Sequence, residues 1–436
     1  MNATSSKTSG AHWATPFFTI WTAQTFSLLG SSLVQFALVW WLTKTTGSAT
    51  VLATSTLVAI LPQIFVGPFA GTLVDRWNRR IVMIVADGMI ALVTLGLACL
   101  YMVGAMQVWH VYAIMLLRAV GGGFHWPAMQ ASTSLMVPEK HLTRVAGANQ
   151  TLNGAMNIIS PPLGALLMGV LPLHNILLID VGTAALAIAP LLFIHIPQPE
   201  RSAADGVTRP TSVWADLVAG LRYIRAWPGM MGILVVAMLV NFVINPALSL
   251  MPILVTKHFG GGVVQLGWME SAWGVGVVIG GLLLSAWGGF RRRVVTSLTG
   301  VVLLGLGSLL LGLLPAHAFN PALASLFLLG FTMPMIDGPF FALMQSRVTP
   351  EMQGRVLSLV GSAAKAMLPL SLIVAGPLAD AVGVRAWYVA GGATCALIGG
   401  AAFMVPAIMH IESNGHGPLP AAGEARSVSA VPATAE

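Results

Sequence analysis

The chain has 436 residues, of which 56% are hydrophobic and only 8% charged, with a net charge of +7. Soluble domains carry roughly 25% charged residues, so this composition cannot cover a water-facing surface and excludes a soluble fold. A mean hydropathy of +0.83 with a pI of 9.9 describes an integral membrane protein with basic loops, not a nucleic-acid binder.

A helix needs about 20 apolar residues to cross a bilayer. Runs of that size fall near 15–43, 49–74, 80–104, 108–136, 145–171 and 173–196, then near 229–256, 263–289, 294–314, 319–346, 356–381 and 386–410. They predict an all-α membrane protein of 12 transmembrane helices in two six-helix bundles, 15–197 and 228–411. Residues 1–14 read as a cytoplasmic N-terminal segment. They hold no apolar run that could serve as a signal peptide, so the first span is expected to act as its own insertion signal. The polar stretch 198–227 reads as a linker, with an interfacial helix of one basic edge over 214–225. The tail 412–436 is rich in Ala, Pro, Gly and Ser and is expected to be disordered. Cys99 and Cys395 lie in opposite halves, and no disulfide framework follows.

Orientation follows from Lys and Arg. One set of loops holds only Lys44, Lys257 and Arg385. The alternate set holds Arg76, Arg79, Arg80, Lys140, Arg144, Arg201, Arg209, Arg222, Arg225, Arg291, Arg292, Arg293, Arg347 and Arg355. The positive-inside bias puts both termini in the cytoplasm of a multi-pass cell-membrane protein. The halves also echo each other. The charged turn at Asp75 to Arg80 is matched by Arg291 to Arg293, and Pro138-Glu139 with Arg144 by Pro350-Glu351 with Arg355. Like halves imply a pseudo-two-fold axis along the membrane normal and a cavity between them.

The tight turn between spans two and three carries most information. Gly67 and Gly71 share one helix face, where small residues admit a close neighbour. Asp75 follows, then Arg76, Arg79 and Arg80. The pattern Gly71-x-Leu73-x-Asp75-Arg76-x-x-Arg79-Arg80 resembles the loop signature of the major facilitator superfamily. Phe17-Phe-Thr-Ile-Trp21 with Gln24 and Ser27, Thr46-Gly47-Ser48-Ala49, Val137-Pro138-Glu139, Gly354-Arg355-Val-Leu-Ser358 and Asp216 with Gly220-Leu221-Arg222-Tyr223 resemble its macrolide-efflux group. Arg118-Ala-Val-Gly121 is similar to the superfamily's motif B, with Val120 where a polar residue is usual. Ser160-Pro161-Pro162-Leu163-Gly164 is similar to the antiporter motif but lacks its first glycine. The resemblance implies proton-coupled efflux of amphipathic, macrolide-like drugs by alternating access. A siderophore or metabolite exporter, or a lysophospholipid-handling facilitator, of the same fold are the alternatives. It also implies a loop that latches the cytoplasmic gate through Asp75 and Arg79. Expected partners are a small-molecule substrate, protons and the bilayer, with the protein a monomer.

Charges inside spans cost about 2.5–3.5 kcal/mol each at a helix centre, so each one invites a functional reading. Glu270 sits among Trp268, Met269, Ala272 and Trp273. A carboxyl desolvated in such surroundings is the first candidate to load and release a proton. Asp87, Asp180 and Asp337 are further candidates. Asp337 and Lys365 fall at similar depth in consecutive spans and are expected to pair; Asp337 as a second proton site is the rival reading. Arg118, near mid-depth in span four, must pair or face water; it and Lys365 also count among the candidate cavity residues, where they would meet an acidic ligand. Polar residues at helical spacing mark a cavity face: Gln24, Ser27, Ser31 and Gln35 on span one, Asn149, Asn153 and Asn157 on span five, Asn241 and Asn245 on span seven. Interhelical hydrogen bonding is their plainer explanation.

Gly274-x-Gly276 with Gly280-Gly281 echoes a dinucleotide fingerprint, but the spacing is wrong and close helix packing explains it better. Ser362-x-x-Lys365 echoes a hydrolase motif without its partner motifs. The histidines read as scattered near helix ends, so no metal or cofactor is expected, and no enzymatic activity.

Overall fold

The computed structural model describes residues 13–198 and 213–412, with side chains throughout except at 67–69, 71, 72, 75, 213–217, 219, 350, 351, 354 and 358. The expectations for the N-terminal segment, most of the linker and the tail therefore fall outside the described residues, as do the side-chain surroundings of Gly67, Gly71 and Asp75.

Every described element is helical. The first half holds α1 (Ala14–Thr46), α2 (Ala49–Arg76), α3 (Arg79–Met102), α4 (Val108–Met136), α5 (Glu139–Val170) and α6 (Leu173–Phe193). Then come α7 (Val213–Arg225), α8 (Pro228–Ser249) and the short α9 (Met251–Ile253), which runs into a single π turn. The chain closes with α10 (Val263–Trp287), α11 (Arg293–Leu313), α12 (Phe319–Arg347), α13 (Pro350–Val382), α14 (Val384–Phe403) and α15 (Pro406–Met409). Ten helices among the described residues are long and apolar enough to span a bilayer. α4 and α5 have the length, at 29 and 32 residues, but polar residues such as Arg118, His125, Asn149, Asn153 and Asn157 dilute their apolar runs.

Short connections are built by local chemistry. Gly47 ends α1 in a left-handed conformation (φ +59°), which only glycine adopts without steric cost. Ser48 then caps α2 by accepting the Val51 N–H, and the Asn78 side chain caps α3 by accepting from Arg80 and Ile81. The turns alternate between two faces of the molecule. One carries Arg76, Arg79, Arg80 and Arg291 to Arg293 and is called the basic face here; the other is the opposite face.

Within the first half, α1 packs on α5 and α6, α2 on α4, and α3 on α4 and α6. Within the second, α10 packs on α12, α11 on α12 and α14, and α8 on α13 and α14. The close α10–α12 contact accounts for the glycine run: a Cβ on Gly276 would sit 2.2 Å from the Phe327 carbonyl oxygen. α7 buries Tyr223 and Ile224 against the second half and leaves Arg222 and Arg225 exposed.

The halves meet chiefly along α2–α13 and α5–α10. The atoms in closest contact lie toward the opposite face. A Cβ on Gly267 of α10 would stand 2.7 Å from Ala165 and 3.1 Å from the Pro161 carbonyl oxygen, both on α5.

Candidate functional site: a cavity between the halves

A cavity of about 670 Å³ lies at this junction. Ser31 and Gln35 of α1 and Asn157 and Ser160 of α5 line one wall; Glu270 and Trp273 of α10 line the other. Its surface is mostly apolar, with these few polar groups set into it, as small-molecule sites are built. The seam that closes it runs beside Glu270. Ser271 Oγ donates to Gly267 O at 2.7 Å within α10 and to Ile158 O of α5 at 3.4 Å. One turn on, Gly274 abuts the Asn157 carbonyl. Among the described residues, Glu270 has no hydrogen-bond or ion-pair partner, and no cationic side chain lines the cavity. An acid in an apolar hollow is costly to leave without a partner.

The first half treats its buried charges differently. Asp180 of α6 is fully buried and held from three helices. Ser31 Oγ donates to Oδ1 at 3.1 Å, Thr94 Oγ1 donates to Oδ2 at 3.3 Å, and Arg118 forms an ion pair with Oδ2. Gly30 allows this closeness, because a Cβ there would lie 2.3 Å from Thr183 Oγ1. Two turns toward the basic face on the same side of α1, Gln24 enters a second network. Its Nε2 donates to Asp87 Oδ2 at 3.0 Å, and its Oε1 lies 3.0 Å from His125 Nε2. His125 Nε2 also stands 3.4 Å from Asp87 Oδ1. With Gln24 Nε2 spent on Asp87, Gln24 Oε1 can only accept, so His125 Nε2 carries a hydrogen.

Of the residues read as cavity-facing, Ser31, Gln35 and Asn157 do line the cavity, and so does Glu270, which was read as a proton site. Gln24 and Arg118 are turned to Asp87 and Asp180, and Ser27 is buried. Asn153 lines a separate hollow of about 440 Å³ between α4 and α5. Asn149 accepts from Trp21 Nε1 at 2.7 Å. Asn245 Nδ2 donates to Asn241 Oδ1 at 3.1 Å, so that pair satisfies itself along α8.

The expected pairing of Asp337 with Lys365 does not form: both side chains are exposed and no hydrogen bond or ion pair joins them. Their helices follow one another in sequence but hardly touch, because α12 packs on α10 and α11 while α13 packs on α8 and α2. In the charged turn, Arg76 is exposed and Arg79 is buried. The Arg80 guanidinium donates to the Leu191 and Leu192 carbonyl oxygens at the end of α6, where free carbonyls attract a cation.

Two residues were given no role in the reading of the sequence. His125 is not near a helix end but well inside α4, buried beside Asp87. A histidine inside an apolar span was itself the signal. Asp380 ends α13, and its carboxylate caps α2 across the junction between the halves. Nothing local marked it, because its partners lie more than 300 residues away.

Comparison with known proteins agrees with this architecture. Residues 20–368 match the Major Facilitator Superfamily. Macrolide efflux protein A of Streptococcus pyogenes is 34% identical over 384 residues, covering 87% of this chain and 93% of that protein. The multidrug efflux pump Tap of Mycolicibacterium fortuitum is 27% identical over 394 residues, covering 88% and 94%. Among solved structures, a bacterial homolog of the human lysosomal transporter Spinster, in an inward-facing and unoccupied conformation, superposes with a TM-score of 0.71 at 13% identity. That match covers 94% of this chain and 100% of the other. The nucleoside transporter NupG superposes with a TM-score of 0.69 at 11% identity, covering 89% and 99%. The chain belongs to the Major Facilitator Superfamily and, within it, is similar to the macrolide-efflux proteins.

Proposed function

We propose that this protein is a proton-coupled efflux transporter of amphipathic, macrolide-like drugs that works by alternating access. Its moving bodies are 15–197 and 228–411, joined by the 198–227 linker. It works as a monomer in a bacterial plasma or inner membrane. The basic face lies in the cytoplasm, as the distribution of Lys and Arg requires. The seams α2–α13 and α5–α10 then close the outer side, and the described state is open inward.

One observation carries the reading: the cavity between the halves holds a single acid, Glu270, with no partner among the described residues. In the outward-open state Glu270 takes a proton. Its neutral form tolerates the apolar cavity and permits the halves to rock. In the inward-open state an amphipathic substrate enters from the cytoplasm and the proton leaves. Each charge moved inward yields about 2.3 kcal/mol per 100 mV. Ser31, Gln35, Asn157 and Ser160 supply hydrogen bonds to the polar edge of the substrate, and Trp273 offers its ring. Asp87 and Asp180 brace the first half, while Asp337 is a secondary acid. Asp75 and Arg79 latch the cytoplasmic side when it closes. Among the described residues no cation lines the cavity, Arg118 being committed to Asp180 and Lys365 lying outside the lining, and this counts against an acidic substrate such as a siderophore.

The test is drug accumulation in cells lacking other exporters, with and without a protonophore. The transporter should lower macrolide accumulation, the protonophore should abolish the difference, and Glu270→Gln should behave as the protonophore does. Drug resistance unchanged by Glu270→Gln would remove this residue from the mechanism.

A further inference from the structure

Helix α13 ends with an acid that does its own helix no good. The C-terminal end of a helix carries partial negative charge, so a carboxylate there is electrostatically misplaced. Asp380 nonetheless sits in the last turn of α13, two residues before Val382. Its carboxylate is spent on the other half. Oδ1 accepts the Ala49 N–H at 2.7 Å; Oδ2 accepts the Thr50 N–H at 2.9 Å and the Ser48 hydroxyl at 2.7 Å. These groups are the start of α2, where the first N–H groups have no partner within their own helix. Ser48 Oγ already accepts the Val51 N–H at 3.3 Å, so it receives on one side and donates to Asp380 on the other. The cap of α2 is thus completed by a residue from the opposite half.

The surrounding fit is specific. One turn back from Asp380, Gly376 lets α13 lie directly on α2: a Cβ there would be 2.9 Å from both Thr50 Cα and Ala53 Cβ. The carboxylate and the bare glycine face together key the two helix ends to each other. The contact lies at the opposite face, where the seams close. All three hydrogen bonds cross the junction, so none survives if the halves part there. Charge-assisted bonds of this kind are about twice as strong as neutral ones.

We infer that Asp380 is the state-setting residue of the closed opposite face: its carboxylate, capping α2 from α13, holds the two halves together there, and its loss favours the state open at that end. That this end is extracellular rests on the orientation proposed above; the latch itself does not.

The test measures distances on the purified full chain in lipid nanodiscs, without substrate. Spin labels go on Thr45 and Val382 at the opposite face and, separately, on Gln130 and Gln345 at the basic face, in a Cys99→Ser background. Asp380→Asn keeps the shape and removes the charge. It should lengthen the first distance, shorten the second and shift the ratio of states about tenfold, which is 1.4 kcal/mol. Asp380→Glu should recover part of the shift. Identical distance distributions for Asp380→Asn and the parent would overturn the inference. If Asp380→Asn is not recovered folded, Ser48→Ala, which removes one of the three bonds, should shift the ratio about threefold the same way; no shift in that variant overturns it equally. A shift in a protein that lowers no drug's accumulation would leave the latch standing and sink the export reading instead.

Discussion

The two halves handle charge in the membrane in opposite ways. In the first, Asp87 and Asp180 are buried and surrounded by donors from several helices, with His125 and Arg118 as their basic partners. In the second, Glu270 and Asp337 have no hydrogen-bond or ion-pair partner among the described residues. A carboxylate with its donors satisfied is part of the scaffold, and moving a proton onto it breaks bonds. A carboxylate without them, at the edge of a cavity, exchanges a proton at little structural cost. On the proposed mechanism the contrast separates bracing from coupling without reference to depth or spacing, by which these acids look alike.

The sharpest way to break the comparison is at Arg118. Arg118→Met leaves Asp180 buried and unpaired and should cost about 3–5 kcal/mol of stability. Combining it with Asp180→Leu should recover most of that loss, read by thermal unfolding in detergent; a double variant no better than the single would make the pair more than a matched brace. Glu270→Gln should do the reverse. It should remove proton-driven efflux while changing stability by less than about 0.5 kcal/mol, with substrate binding intact by fluorescence titration. Asp87→Asn falls between them. It weakens the Gln24–Asp87–His125 ring and should cost about 1–3 kcal/mol while transport per folded molecule persists; a selective loss of proton coupling would move Asp87 to the side of Glu270. The smallest effect is expected from Asp337 and Lys365. Their double-mutant cycle, with Asp337→Asn and Lys365→Met, should show a coupling below about 0.5 kcal/mol, and a larger value would mean that they meet in another state of the cycle.

The second contrast is between what could be read in a line and what needed three dimensions. The apolar runs predict where helices lie, and the alternation of Lys and Arg predicts which turns share a face, because hydropathy and charge act on each segment locally. The charged turn after α2 and the macrolide-efflux-like segments carry the family. Glu270 stood out as an acid between Trp268 and Trp273, and the structure places it in the cavity wall. Partnership was not. Gln24 reads like a cavity residue until Asp87 and His125 are seen around it. Asp337 and Lys365 read like a pair until α12 and α13 turn out to pack on different neighbours. Asp380 reads like a stray charge until α2 is found beneath it. The sequence by itself determined the class of protein, the run of its apolar helices and its basic face, since each follows from the free energy of moving short segments between water and lipid. Only the tertiary structure decided which polar groups are satisfied and which are left to act, since that depends on which helices become neighbours and how each is turned about its axis.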